Sequence, residues 1–528
     1  MGINGLFTEI LEKQKPDLVC REEVTLMGRR NELNWTSTIA SFIFAASVCI
    51  SLIWASRSYG IPAFARKYQT SCATCHNNYP ELNDFGEAFK KNGFKFPKDD
   101  ELFVKEPPVM LGAKAQKDAF PKAIYPGEIP ASVPISFRYS GNFNWNAKQP
   151  QPLQASAFVP QTDLFVPNTF TIISSGSFGD NFAFWVDDDI STAGSGSGGG
   201  MGDGYLRYND LGRIFHLPKN ALNVRFGQFE LDLPFSQART IYPSSYDVYS
   251  ETAVGAAAGS GQTIFQTTHN PFVLGSPQRG IEFGGYPNNG NFTWSVAFNN
   301  GTNTAYGLPP FNGLTGTLTG RNTKDVYIRV SQRFNLEQDP ESRQAIQAAG
   351  PTGPRDHTSI RIGAFYYSGI NEMNIGATQY SFLGTIREPF YRTGADVRFK
   401  YRKMELFGLG MVGHDNNHSV DTVGQTITSA PAVTYTGGFV GSNFWIYPWT
   451  IAYMRYDFVN SPTDFANGVS QNRTRNRFSP GFQVLVRANI KVIGEYQYHW
   501  GEPYTDPTTG STLFFRPNSF VSGIDYSF

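Results

Sequence analysis

Cysteine is scarce in this chain: of 528 residues only Cys20, Cys49, Cys72 and Cys75 carry a thiol. The last two stand in SCATCH, residues 71–76, with His76 directly after the second. Such a trio admits four chemistries: a metal knuckle, a disulfide, a redox dithiol, or covalent attachment of haem. Thioether attachment needs two thiols spaced to meet the two vinyl groups of the macrocycle. The histidine beside the second thiol then reaches the iron from the proximal face. A zinc knuckle wants two further ligands at close spacing, and the next histidine is His216. A thioredoxin-like dithiol wants a βαβ context that is missing here. A disulfide framework would need more pairs in a small domain. The motif points to one covalent haem c, held by Cys72 and Cys75, with His76 on the iron.

The residues that follow must position this group. In NNYPELNDFGEAFKKNGFKF the sequence predicts a helix capped at Asn78 or Tyr79, with Pro80 in its first turn. Glu81 and Asp84 suit its positive end, Lys90 and Lys91 its negative end. Leu82, Phe85 and Phe89 fall on one stripe, and Phe85 and Phe89 are expected to wall the haem. Gly93 is placed to end the helix in a left-handed turn. No second histidine lies between His76 and the first predicted strand. Met110, in PPVMLG, is the one methionine there and is expected as the distal iron ligand. A thioether in that position raises the potential; an open position or a lysine is the alternative.

Arg29 and Arg30 precede an uncharged run, TSTIASFIFAASVCISLIW, from Thr36 to Trp54. A basic region before an apolar one is the layout of a secretory signal peptide, assigned to residues 1–60 with Met27 a possible true start. An uncleaved anchor is the rival reading, since the run is long enough to cross a bilayer. Export agrees with haem attachment, which takes place outside the cytoplasm.

Lys plus Arg equals Asp plus Glu at 44 each, so a concentrated basic surface for nucleic acid is not expected. Aromatics are high at 15% and charged residues low at 17%, against roughly 25% charged in an ordinary soluble domain. Mean hydropathy is nevertheless negative, which excludes a bundle of membrane helices. After a haem domain assigned to residues 61–128, residues 129–528 repeat one theme. VPISFRYSGNFNW, DVYIRVSQRF, SIRIGAFYYSG, FYRTGADVRFKY, TIAYMRYDF and IKVIGEYQYHW alternate apolar with small or polar residues between turn formers. Aromatic strand ends and the final FVSGIDYSF favour an outer-membrane β-barrel over a soluble sandwich. At roughly 25 residues per strand and connection this gives about 16 strands, plus or minus two. The fold class is thus mainly β, with a small α-helical haem domain in front. Asp187–Asp189 and the glycines after them read as a solvated loop, and His414 with His418 also as a loop. Arg225, Arg239 and Lys324 are candidate lumen residues.

The stretch PAFARKYQTSCATCHNNYPELNDFGEAFKKNG, residues 62–93, resembles the N-terminus of fused monohaem cytochrome–porins, the outer-membrane iron oxidases. Beyond it the resemblance is architectural. It implies a haem domain plugging a barrel and passing electrons from extracellular Fe(II) to a periplasmic cytochrome, an iron(II) oxidase type of electron transfer. Cys72, Cys75 and His76 match the family motif. The distal ligand does not carry over, so Met110 rests on its own position. VRFGQFELDLPFS is similar to a strand of phosphate-type porins. Three alternatives stand beside this reading: electron transfer with another donor or in reverse, a porin whose cytochrome serves as plug, and a soluble periplasmic β-rich cytochrome.

Overall fold

The computed structural model describes residues 63–96, 100–106, 133–147, 161–179, 181–192, 200–250, 272–287, 290–301, 323–338, 357–375, 384–421, 426–461, 473–501 and 518–528, with short pieces of the connections. The proposed signal segment, 1–60, lies outside the described residues. Among them sixteen strands close a barrel. They are β1 Ile135–Asn146, β2 Thr162–Phe178, β3 Phe182–Thr192, β4 Met201–Tyr208 and β5 Asn223–Phe229. Next come β6 Gln278–Gly285, β7 Phe292–Asn299, β8 Asp325–Gln338, β9 His357–Ile375, β10 Gly384–Tyr401 and β11 Met404–Asp421. The last five are β12 Thr426–Tyr447, β13 Thr450–Ser461, β14 Arg473–Arg487, β15 Ile490–Gly501 and β16 Ser519–Ser527. Each pairs antiparallel with the next, and β16 returns to β1 with Tyr526 opposite Tyr139. The expected strand number is met.

Alternation decides which way the wall faces. Ile281 is 47% exposed and its neighbour Glu282 4%. Ile328 and Val330 stand out at 41% and 45%, with Arg329 between them at 4%. Period-two geometry puts apolar side chains outside and charged ones inside. A soluble sandwich would do the reverse, so that alternative fails. A wall of this kind is built to face lipid, where closure leaves no backbone edge unpaired. Several inward charges are paired: Arg225 with Glu282 at 2.7 Å, Arg329 with Asp396 at 2.7 Å, Arg392 with Asp415 at 2.6 Å.

One end of the barrel carries two-residue turns, at 402–403, 448–449 and 488–489, together with the start of β1 and Phe528. From the opposite end the described parts of the connection after β5, residues 230–250 and 272–277, fold inward. Its Phe235, Tyr242, Tyr246 and Tyr249 pack on inward aromatics of the wall, with Tyr246 4.4 Å from Phe439 and Tyr242 4.8 Å from Tyr453.

In the N-terminal segment three short helices form: α1 Ala63–Tyr68, α2 Asp84–Lys91 and α3 Asp100–Phe103. The helix predicted from Asn78 or Tyr79 starts later. His76–Asn78 and Glu81–Leu82 pair as a hairpin with Pro80 in its turn, and Asn83 is the true cap, its side chain accepting from Gly86 N at 2.8 Å. Asn83 wins because its oxygen reaches an amide that would otherwise lack a partner. Gly93 takes the left-handed turn as expected, φ 71°. Two loop readings are corrected. Asp187–Asp189 lie in β3, and His414 and His418 lie in β11; Asp187 accepts from Trp185, His418 meets Glu388, and His414 meets Thr434 on the neighbouring strand.

Candidate cofactor site

Ser71 caps a single 3-10 turn, Cys72–Thr74, and Cys75 N donates to Cys72 O at 3.1 Å. This turn presents both cysteines to one cavity, and they are free thiols. Burial raises both, Cys75 to about 12, so neither is a thiolate at neutral pH. Ser71 and Ala73 are exposed, leaving the Cys72 side of the turn at the surface.

His76 lines the same cavity. Its Nδ1 donates to the Pro80 carbonyl at 3.1 Å. A carbonyl can only accept, so the proton sits on Nδ1 and the lone pair on Nε2. Burial pulls the imidazole down to about 4, keeping it neutral. Neutral imidazole with one nitrogen tied to backbone is the form a metal ligand takes. The loop is held from behind by α2: a Cβ on Gly86 would stand 2.0 Å from Cys75 O, so only glycine allows this approach.

The cavity measures about 370 Å³, within the usual range of cofactor sites. Tyr68, Phe89, Phe94 and Phe96 line it from the N-terminal segment, Phe137, Ile173 and Trp185 from the barrel wall, and Arg239 from the inward connection. The aromatic rings interlock, with Phe64 5.1 Å from Phe89 and Phe94 5.6 Å from Trp185. A flat apolar macrocycle suits such a lining, and the donor set of two thiols and one neutral imidazole suits haem c. The residues fit the group.

Of the two expected wall residues, Phe89 is in place. Phe85 is not among the lining residues; it packs on Phe96 at 5.1 Å. Phe89 also meets Phe96, at 6.0 Å, so both rings keep to one side of α2 and Phe96 stands beside Phe85. Met110 lies in a two-residue strand paired with Glu128–Ile129; its side chain lies outside the described residues. Of the lumen candidates, Arg225 and Arg239 face inward in ion pairs, while Lys324 is exposed. Sequence reasoning missed Arg138, Trp185 and Asp187 as cavity residues. No local signal marks them, because only barrel closure brings them to the SCATCH turn.

Inward side chains near the short-turn end hold the N-terminal segment. Arg333 meets Asp84 at 2.9 Å and Lys400 meets it at 3.4 Å. Burial pushes the Asp84 carboxyl up, but Lys400 and Arg333 outweigh it and hold it well below the usual carboxylate range. Asn78 donates to Gln483 at 2.7 Å and Lys491 to the Tyr79 carbonyl at 2.5 Å. Beyond α2 a second, charged cavity of about 140 Å³ opens, lined by Arg225, Arg329, Arg333, Arg361 and Arg398 among others. Leu82, Lys90 and Arg239 line both cavities.

No protein-family model and no curated protein matches this sequence. Among solved structures, the chain is similar to OmpF of Salmonella typhi in complex with daunomycin, at 9% identity and TM-score 0.46, over 75% of this chain and 97% of that one. It is similar to an anion-selective porin from Comamonas acidovorans at 12% identity and TM-score 0.44, over 75% and 99%. The outer membrane channel DcaP of Acinetobacter baumannii matches at 13% identity and TM-score 0.41, over 75% and 96%.

Proposed function

We propose that this chain is an outer-membrane electron-transfer protein with a single c-type haem, oxidising extracellular Fe(II) and serving a periplasmic cytochrome. The observation that carries the reading is the cavity shared by Cys72, Cys75, His76 and the barrel wall, in a barrel whose apolar side chains face outward. When bound, the haem supplies one-electron chemistry, accepting one electron per Fe(II) and yielding it without group transfer.

The chain's own residues do the rest. The two thiols add to the vinyl groups and so fix the macrocycle. His76, its proton committed to Pro80, offers Nε2 to the iron. Phe89, Phe94 and Trp185 exclude water from the cavity. Asp84 and Asn78 tie the segment to the wall, while residues 230–250 and 272–277 occupy the lumen from the other side. Short turns mark the periplasmic end of outer-membrane barrels, and the SCATCH segment lies against that end. Stopped-flow mixing of the purified ferric protein with Fe(II) tests the reading. Reduction of the haem band is expected, and its absence would refute Fe(II) as donor.

A second reading is a porin with the cytochrome segment as plug. The charged cavity beyond α2 favours it. Conductance across liposomes decides between the two: a sealed bilayer fits the electron conduit, and large open channels fit the porin.

A further inference from the structure

We propose that Lys90 is a binding residue for the carboxylate edge of the haem, turning that edge toward the lumen and leaving the thioether edge at the exposed mouth. The inference rests on the cofactor reading above and adds an orientation to it.

Lys90 belongs to α2 and lines both cavities. It therefore stands where the apolar space beside Cys72, Cys75 and His76 passes into the charged space around the lumen arginines. Its neighbours in that boundary are Leu82 and Arg239. Arg239 is satisfied by Glu230 at 3.1 Å and Asp203 at 3.5 Å. Lys90 is not: among the described residues no carboxylate lies within ion-pair distance of its ammonium group. Glu87 and Glu230 act on it only from further away, and burial together with Arg239 draws the amine down to about 8. Lys90 is half-buried, and a cation partly withdrawn from water without an ionic partner is costly. A carboxylate arriving beside it would remove that cost.

Haem c carries its two carboxylates on the side of the ring away from its thioethers. The turn that holds the thiols has its exposed residues, Ser71 and Ala73, at the surface, whereas Lys90 faces the interior. The two edges of the macrocycle thus find matching surroundings in one orientation: carbon and sulfur at the mouth, negative charge against Lys90. The other cations of the cavity are already engaged, Arg138 with Asp525 at 2.8 Å and Arg239 as described. Electrons would then leave through the uncharged edge nearest the periplasm.

Full-length Lys90→Gln, Lys90→Met and Lys90→Arg proteins, purified from membranes, are compared with the wild type by spectroelectrochemical titration and by their ferric visible and EPR spectra. Losing one positive charge beside the carboxylate edge, at an effective dielectric of about 20, shifts the equilibrium toward ferric on the order of tenfold. That shift is expected in Lys90→Gln and Lys90→Met, with wild-type behaviour in Lys90→Arg and axial-ligand spectra unchanged throughout. A midpoint unmoved in both neutral variants overturns the inference. So does a changed spin state, which would assign Lys90 to the iron itself. Lys91→Gln, outside the SCATCH cavity, should leave the midpoint where it was; an equal shift there would reduce the effect to general charge and overturn the assignment. A pyridine haemochrome of the wild type separates the two levels: no attached porphyrin refutes the cofactor reading, whereas a loaded protein with an unmoved midpoint refutes Lys90 alone.

Discussion

Gly86 of α2 lies so close to the Cys75 carbonyl that a methyl group on it would stand 2.0 Å from the oxygen. The helix and the thiol-bearing turn are therefore in backbone contact, and the turn keeps its shape only while α2 stays seated. Gly86→Ala should force them apart, destabilising the segment by about 1–3 kcal/mol. The fraction of chains carrying porphyrin should fall, read as the haem-to-protein absorbance ratio. Full loading would mean that the contact is dispensable.

The cofactor assignment makes a covalent prediction. Wild-type protein should gain the mass of one porphyrin iron, and the Cys72→Ala/Cys75→Ala double variant should not. Both should still migrate as heat-modifiable barrels, because the wall is made elsewhere. His76→Ala should keep its thioethers but lose the proximal ligand, seen as a changed ferric spectrum.

Asp84 gives the plug-like segment its acid dependence. Its folded carboxyl is held below the unfolded value by Lys400 and Arg333 against the cost of burial. Such a group stabilises the fold above its unfolded pKa of about 3.9, and that contribution fades as pH falls through the lower folded value. Proteolysis within residues 63–106 should therefore stay slow at pH 5 and accelerate only in stronger acid. Asp84→Asn should show the accelerated rate already at pH 5. A variant as resistant as the wild type would remove Asp84 from this role.

The direction of the wall can be checked residue by residue. Val330→Arg puts a charge on the outer face and should cost up to about 2–4 kcal/mol at bilayer depth. Asp415→Ala strands the fully buried Arg392 and should cost about 3–5 kcal/mol. Ile328→Leu, an outer-face apolar exchange, should be nearly silent. Heat-modifiability on gels across a urea series ranks the three.

Much of this molecule was legible because its signals are local. Thioether chemistry depends on two thiols three positions apart and a neighbouring imidazole, and SCATCH states that in six letters. A lipid-facing strand depends on period two, which DVYIRVSQRF carries on its own; hence the match in strand number. Misreadings arose where a local preference met a distant partner. Asp187–Asp189 looked like a loop because three carboxylates seldom sit in a strand, yet Trp185 of the same strand donates to Asp187, Thr171 of the neighbouring strand donates to Asp189, and Asp188 is exposed. Leu82 was read on one helical stripe with Phe85 and Phe89, but Asn83 caps the helix after it and leaves Leu82 in a short strand.

The sequence by itself determined the haem-type attachment motif and the alternation that makes a membrane wall, since each is a matter of bond lengths and strand geometry within a few residues. Only the tertiary structure decided that Trp185, Arg138 and Arg239 complete the cavity and that residues 230–250 and 272–277 turn into the lumen. Closing sixteen strands brings together residues hundreds of positions apart. Which inward charges then find partners depends on that closure rather than on any neighbour in the chain.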